Sequence, residues 1–327
     1  MKYTSAFFSF DSTVTLTGQN SSAKSIAIYT DNTLLACGRY NQTLDNQTFE
    51  VMTLEFSPDG SILVSGSDDA SFIIWNTETW EVVKKDNEHR GTISSITFSP
   101  DGSKFATVSS GNSVRIWNTT TGTLISTFGG YKLGVTSVVF TPDGSNFITG
   151  SYDDTILIRD LSTGDILQTY NVGYDIYCID ISPDGKIIAA GTLDYKVKLW
   201  NISSNENINT FFHNGFVTSV AFSPNGKLLA SGSFDNTIKI FDPRVGITLE
   251  TLKEHNGDVL DVVFSSDERL FTSSADATVK IWNIASLMPI EQTSNLSNTD
   301  PSKSSTSNAS ISVLLFTLPV IVIWKKR

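Results

Sequence analysis

The sequence predicts an all-β fold built from one short supersecondary unit repeated along the chain. Three observations carry this: a turn phrase that returns six times, a period of 41 or 42 residues, and short strand-like apolar runs between the turns. The copies are Ser57-Pro58-Asp59-Gly60, Ser99-Pro100-Asp101-Gly102, Thr141-Pro142-Asp143-Gly144, Ser182-Pro183-Asp184-Gly185, Ser223-Pro224-Asn225-Gly226 and the eroded Ser265-Ser266-Asp267-Glu268. A length of 327 residues alone would suggest two domains, but an array of such units can close into one.

Each unit reads as four strands. In residues 216–252 they are Val217–Phe222, Lys227–Gly232, Thr237–Phe241 and Ile247–Leu252, cut by Pro-Asn-Gly, Ser-Phe-Asp-Asn and Asp-Pro-Arg. In the turn phrase Pro presets φ, Asp or Asn bonds its own backbone and Gly accepts a positive φ, so the phrase closes a tight antiparallel turn. The second strand is rich in small residues (Val64-Ser65-Gly66, Ile148-Thr149-Gly150, Ala189-Ala190-Gly191, Ala230-Ser231-Gly232), which predicts close packing between neighbouring sheets. The third strand ends in an aromatic plus Asn or Asp at Trp75-Asn76, Trp117-Asn118, Trp200-Asn201, Phe241-Asp242 and Trp282-Asn283, with Arg159-Asp160 as the exception.

These features, recurring in register over residues 25–291, resemble the WD-repeat family, whose members form β-propellers of four-stranded blades around a central channel. The resemblance implies a structural tetrad in each blade: an Asp before strand three, a Ser or Thr on strand two, the strand-three Trp and a His in the loop leading into the blade. The Asp matches Asp69, Asp153, Asp194, Asp235 and Asp276, each six residues before its blade's Trp, Arg or Phe; the remaining blade has Gly111. The last blade has every member, His255, Thr272, Asp276 and Trp282, whereas the one before it has His213, Ser231 and Asp235 with Phe241, which has no indole N–H. His89, His213 and His255, the chain's three histidines, each lie ten residues before their blade's turn-phrase serine, so they read as structural and not as an acid–base or metal pair with a carboxylate.

The resemblance predicts a single propeller over residues 1–291, with six clear blades in 51–291 and an irregular blade in 5–50, making seven in all. Upstream, Ala6–Phe10, Thr13–Thr17, Ser25–Tyr29 and Leu34–Gly38 read as strands and Asn41–Gln47 as a polar loop. Closure is expected through one blade that takes strands from both chain ends. A six-bladed ring with an N-terminal appendage, or a truncated gene start, are the other readings.

Residues 292–310 are Ser/Thr/Asn-rich and read as a flexible linker. Residues 311–327 contain an apolar run, Ile311 to Trp324, ended by Lys325-Lys326-Arg327, and read as a short membrane anchor with a basic end. A strand or amphipathic tail docked on the propeller is the alternative. Positive-inside placement would put the propeller outside, yet residues 1–20 show no signal-peptide core; a tail-anchored, cytoplasm-facing protein and an exported one are both compatible, with a soluble cytoplasmic protein the further alternative.

Net charge is −11, and the basic tail leaves residues 1–291 near −14 with no Lys/Arg cluster inside the repeats, which argues against direct nucleic-acid binding. Cys37 and Cys178 read as buried small hydrophobes, with no disulfide framework and no metal or cofactor site. No nucleophile elbow, phosphate loop or catalytic carboxylate pair is present, so the chain reads as a non-enzyme. The resemblance implies an interaction scaffold, tethered by its tail, that binds a protein or peptide. In the family the loops before strands one and three share one face, and here they carry Tyr131, Tyr152, Tyr174, Asp175, Tyr195, Phe216, Phe234 and Asp258. Aromatics beside carboxylates suit a basic or Arg-bearing partner. Two alternatives are kept: a substrate receptor of a ubiquitin-ligase type, because Phe241-Asp242-Pro243-Arg244 resembles the W-D-x-R box of such receptors, and a propeller hydrolase or lyase.

Overall fold

The computed structural model describes residues 14–16, 22–29, 34–44, 47–287, 313–317 and 321–326. The N-terminal strands are β1 (Val14–Leu16), β2 (Ala23–Ile28) and β3 (Leu34–Leu44). The first repeat is β4 (Gln47–Phe56), β5 (Ile62–Ser67), β6 (Phe72–Asn76) and β7 (Val82–Asp86). The second is β8 (Ile93–Phe98), β9 (Lys104–Ser109), β10 (Ser113–Asn118) and β11 (Leu124–Phe128), and the third is β12 (Val135–Phe140), β13 (Asn146–Ser151), β14 (Thr155–Asp160) and β15 (Ile166–Asn171). The fourth is β16 (Ile176–Ile181), β17 (Ile187–Thr192), β18 (Lys196–Asn201) and β19 (Glu206–Phe212), and the fifth is β20 (Val217–Phe222), β21 (Leu229–Ser233), β22 (Ile238–Asp242) and β23 (Ile247–Leu252). The sixth has three strands of its own, β24 (Val259–Phe264), β25 (Leu270–Ser274) and β26 (Val279–Trp282), and the tail adds β27 (Val313–Thr317) and β28 (Ile321–Lys326).

Consecutive strands of a repeat pair antiparallel, and the innermost strands β2, β4, β8, β12, β16, β20 and β24 follow one another round a ring in which β24 packs on β2. The missing outer strand of the sixth repeat is supplied by β1, with Val14 opposite Ile281 and Leu16 opposite Val279. The chain start is thereby bonded to the last repeat.

Among the described residues six sheets form, not the expected seven separate blades. The seventh wedge of the ring is filled by β2 and β3, which do not make a sheet of their own: β3 runs on into a hairpin with β4, Tyr40 opposite Glu50 and Asn41 opposite Phe49, so both belong to one eight-stranded sheet. The segment expected as a polar loop at Asn41–Gln47 is therefore mostly strand. Thr43 and the flanking Tyr40 and Phe49 suit extended backbone. Ala6–Phe10 and the linker at 292–310 lie outside the described residues.

In the tail, residues 313–317 and 321–326 form β27 and β28, and β28 lies antiparallel on β3 with Ile321 opposite Gly38 and Lys325 opposite Leu34, the arrangement of the docked-strand alternative. A β3 edge without β28 would present a row of unpaired backbone groups. The Val/Ile-rich tail, interrupted by Pro319, satisfies them better as strands than as a helix. Among the described residues no helix is long and apolar enough to cross a membrane.

The core is divided into layers between successive sheets. Leu16, Ala23, Ile26, Leu35, Cys37, Phe271, Val279 and Ile281 fill the layer between the last repeat and β2–β3, and Ala27, Leu34, Ala36, Val51, Leu54, Phe56, Leu63 and Trp75 fill the next. Small second-strand residues permit this contact: a Cβ added to Gly66 would lie 2.6 Å from Ile93 Cγ2, and one on Gly191 2.6 Å from Val217 Cγ1. In the turn phrase Ser99 Oγ donates to Asp101 Oδ1 at 2.6 Å, the Ser103 amide donates to the same oxygen at 3.0 Å, and Gly102 takes φ of 68°. The eroded sixth copy keeps the Ser265–Asp267 bond and places Glu268 at φ of 64°.

Every innermost strand carries a register shift near its start, for example between Ala23 and Ser25, Val135 and Ser137, and Ile176 and Cys178. The extra residue of such a bulge is re-aimed. Lys24, Met52, Ser94, Thr136, Tyr177, Thr218 and Leu260 occupy these positions, and all line a central channel of about 360 Å³. The Ser and Thr bulge residues donate to the next inner strand: Ser94 to the Val135 carbonyl at 2.7 Å, Thr136 to Ile176 at 2.8 Å and Thr218 to Val259 at 2.6 Å.

A chain ending at Ser310 is expected to keep its six repeat sheets but lose protection of the Leu34–Gly38 amides, with hydrogen exchange there at least tenfold faster than in the full chain and unchanged in β12–β14. Exchange mass spectrometry reads this directly, and equal protection in both chains would remove β28 from β3.

Candidate functional site

Behind the loops of the expected face lies a network of buried hydrogen bonds, and its geometry separates structural from available residues. In the last repeat His255 Nδ1 meets Asp276 Oδ2 at 2.8 Å, His255 Nε2 meets Thr272 Oγ1 at 2.8 Å, and Trp282 Nε1 donates to Thr272 Oγ1 at 2.9 Å. The imidazole is fully buried. Burial, outweighing the attraction of Asp276, holds its pKa below the ordinary value. Both ring nitrogens are engaged inside the blade, so this His–carboxylate pair has no face on which to meet a substrate.

Other blades build variants of the network. His213 bonds Asp235 at 3.0 Å and Ser231 at 2.7 Å, while Phe241, in the Trp position, stacks on Phe211 with centroids 4.1 Å apart. With Gly111 in the Asp position, His89 Nδ1 turns to Ser109 Oγ at 3.0 Å, and its Nε2 meets Thr107 at 2.6 Å. Lacking a carboxylate partner, His89 is driven by burial, and secondarily by Arg115, down to about 4. Trp200 has Ala190 ten residues before it where Trp75, Trp117 and Trp282 have Ser65, Thr107 and Thr272, and its buried Nε1 has no hydrogen-bond partner.

Tyr131 leaves the candidate face. It is 7% exposed, its hydroxyl bonds Thr149 Oγ1 at 2.9 Å and the Arg159 guanidinium lies 5.3 Å from its ring centre. It stands ten residues before Thr141, the His position of its blade, so the histidine spacing already contained the signal for its burial. Arg159 donates to the Gly129 and Gly164 carbonyls at 2.7 and 3.0 Å, bracing the same blade where Trp stands in others.

The remaining predicted residues fall into two groups. Around the channel mouth, the amide after each second strand donates to the carbonyl before the first: Tyr152 to Gly134 at 3.0 Å, Leu193 to Asp175 at 3.1 Å, Phe234 to Phe216 at 3.0 Å and Ala275 to Asp258 at 2.9 Å. Tyr152, Asp175, Phe216, Phe234 and Asp258 are thus rim residues. Tyr174 and Tyr195 stand outside the rim: Tyr195 lies 5.4 Å from Phe216, which lies 5.9 Å from Phe234, centre to centre, and Tyr174 is 52% exposed with the Lys196 and Lys198 ammonium groups 5.3 and 5.5 Å from its ring. Asp175 also sits beside Asp154, whose carboxyl is raised, chiefly by desolvation and then by Asp175.

The same rim geometry adds residues the sequence reading did not select. Asp68 donates its amide to the Glu50 carbonyl at 3.1 Å, which places both acids in the mouth. Glu50, like Asp175, Phe216 and Asp258, lies seven residues before its turn-phrase serine, a spacing that would have found it. Tyr177 lines the channel below, and burial, with smaller contributions from Tyr152, Cys178, Glu50 and Asp261, pushes its phenol up to about 12. Among the described residues no cluster of three or more His, Cys, Asp or Glu is placed to hold a metal ion.

Two measurements follow from this network. Thr272→Ala strands the Trp282 N–H and one His255 nitrogen and is expected to cost about 1–3 kcal/mol in urea unfolding, whereas Ala190→Ser gives Trp200 an acceptor and is expected to add about 0.5–1.5 kcal/mol. The His89 ring is expected to titrate near 4 by NMR. Because the unfolded chain takes up that proton near 6.5, it binds more protons between these values; the contribution of His89 to stability is complete above about pH 6.5 and is lost as pH falls towards 4, by at most about 3 kcal/mol. A midpoint near 6 would overturn this environment for His89.

A comparison with curated proteins found none that matches the chain. Against protein-family models, the WD domain, G-beta repeat (WD40) matches residues 38–76, 80–118, 122–160, 164–201, 205–242 and 246–283. These matches cover most of the chain and fall in step with the six sheets. The chain belongs to the WD40-repeat family of β-propellers.

Proposed function

We propose that the chain is a non-enzymatic interaction platform that receives a basic segment of a partner protein on the face formed by the loops before the first and third strands. The observation that carries this reading is the exposed row Tyr195, Phe216 and Phe234, which runs to a channel mouth bearing Glu50, Asp68, Asp175 and Asp258. Flat aromatics offer contact area at little entropic cost, and carboxylates around them select a cationic partner. Tyr195 adds a second support. It holds φ of 69° at the turn position occupied elsewhere by Ala70, Asn112, Asp154, Asn236 and Ala277, a conformation that costs a bulky side chain about 1 kcal/mol or more. A large aromatic kept there and left exposed serves recognition, because Asn or Asp would fit the backbone better.

The alternatives have less support. Arg244, the basic member of the box that resembles a ligase-receptor motif, is bound to Asp242 at 2.7 Å and 3.1 Å and shapes the β22–β23 turn. The hydrolase or lyase reading rests on histidines that are enclosed in their blades. In the platform reading the tail acts in ring closure and not as a tether.

Partner recovery by the full chain is expected to fall at least tenfold in Phe216→Ala/Phe234→Ala, at about 1–2 kcal/mol or more per aromatic anchor, and to be unaffected by Val83→Ala on the outer strand of the first repeat. Undiminished recovery by the double variant, measured by affinity capture and quantitative mass spectrometry, would defeat the assignment of this face.

A further inference from the structure

Of the seven bulge residues that line the channel, Lys24 is the basic one. Ser94, Thr136 and Thr218 at equivalent positions use their short hydroxyls to bond the next inner strand. Lys24 instead extends to the mouth, where its Nζ meets Glu50 Oε1 at 3.2 Å, and both side chains keep partial solvent access, 29% and 19%. Glu50 stands on a rim that also bears Asp68, so this stretch of the mouth has two carboxylates and one internal cation. Below it, Asp261 is fully engaged: it accepts from Ser25 Oγ at 3.1 Å, the Ile26 amide at 2.9 Å, Ser219 Oγ at 2.8 Å and the Val262 amide at 2.9 Å. Asp68 Oδ1 likewise accepts from the Glu50 amide at 3.1 Å and from Ser67 Oγ at 3.3 Å. Glu50, paired with Lys24, is therefore the acid in this stretch whose side-chain partner can leave without breaking the fold.

We propose that the Glu50 carboxylate is the seat for a cationic side chain of the protein partner, and that Lys24 fills this seat in the free chain and is displaced when the partner binds. The proposal rests on the basic-partner reading above and names the residue pair that regulates it. A lysine ammonium that keeps partial solvent access at this carboxylate is a weak occupant, since water at the mouth screens the pair. An incoming guanidinium can bridge Glu50 with two parallel hydrogen bonds, which a lysine ammonium cannot do. Lys24 then swings on its flexible stem into the solvated mouth, and no backbone bond of β2 or β4 is lost.

The test is an NMR titration, at low salt, of the full chain with a pentapeptide carrying one central arginine, against the same peptide with citrulline, which keeps the shape and lacks the charge. Lys24→Gln is expected to tighten arginine-peptide binding about threefold to tenfold, and Lys24→Arg to weaken it, because arginine holds Glu50 with two bonds. Lys186→Gln removes one charge at a turn on the opposite face and controls for net charge, and Glu50→Gln is expected to lose at least tenfold with an unchanged melting curve. If the wild-type chain prefers arginine to citrulline but Lys24→Gln and Lys186→Gln bind alike, the displacement proposal is overturned while the face assignment stands. If neither wild type nor any variant prefers arginine, the basic-partner reading falls and the proposal with it.

Discussion

The structure depends on side-chain stitches between neighbouring innermost strands of the ring. Ser95 accepts from the Val138 amide at 3.3 Å, Ser137 from Ile179 at 3.2 Å, Ser219 from Val262 at 3.3 Å, Asp180 from Phe222 at 2.7 Å and Asp261 from Ile26 at 2.9 Å. These inner strands have a sheet neighbour on one side only, and a buried N–H left unpaired on the other costs about 1–3 kcal/mol, so each blade is completed by the next. The cost accepted for this is visible in the acids used. Burial pushes Glu55, which bonds the Phe98 amide, up to about 8 and Asp180 up to about 6, yet both remain at the inner strands.

Because every blade is held by its neighbours, individual blades tolerate erosion. The carboxylate lost at Gly111 is replaced by the Ser109 hydroxyl, and the indole lost at Phe241 by stacking on Phe211. The His absent from the third repeat is replaced by Tyr131, braced by Arg159. The same reasoning accounts for the irregular wedge. β2 supplies the Ile26 amide for Asp261 and the apolar side of two core layers, which are the contacts the ring requires of it, while the outer strands can be borrowed from the chain end. Closure is a matter of filled interfaces and not of complete repeats.

This explains how much could be read from the sequence. Features fixed by local chemistry were legible: the turn phrase, in which Ser, Asp and Gly each bond or bend their own turn, and the tetrad positions spaced six and ten residues from fixed markers. Features fixed by non-local pairing were not. The apolar run at 311–324 is equally consistent with lipid or a sheet edge, and its pairing with β3 depends on an edge nearly 290 residues away that no local pattern reveals. Tyr131 looked available because aromatic type was weighed above register, although its spacing to Thr141 marked it as a blade residue. Glu50 and Asp68 went unnoticed for the opposite reason: their backbone, not their side chains, performs the repeated structural task.

That division of labour leaves the side chains at the mouth free to vary. At the rim the bond that recurs from blade to blade runs between main-chain atoms, Phe234 to Phe216 in one blade, Leu193 to Asp175 in another and Asp68 to Glu50 in a third. Such a bond places no demand on side-chain chemistry, so these positions can carry Phe, Asp, Glu or Tyr with the same fold beneath. At the tetrad and the stitch, by contrast, a specific donor or acceptor is required, and substitutions there are answered by compensating contacts. The blade interior therefore restricts its residues to structure, and the rim, whose carbonyls and amides hold it in place whatever side chains it bears, is where this propeller can differ from others in what it binds.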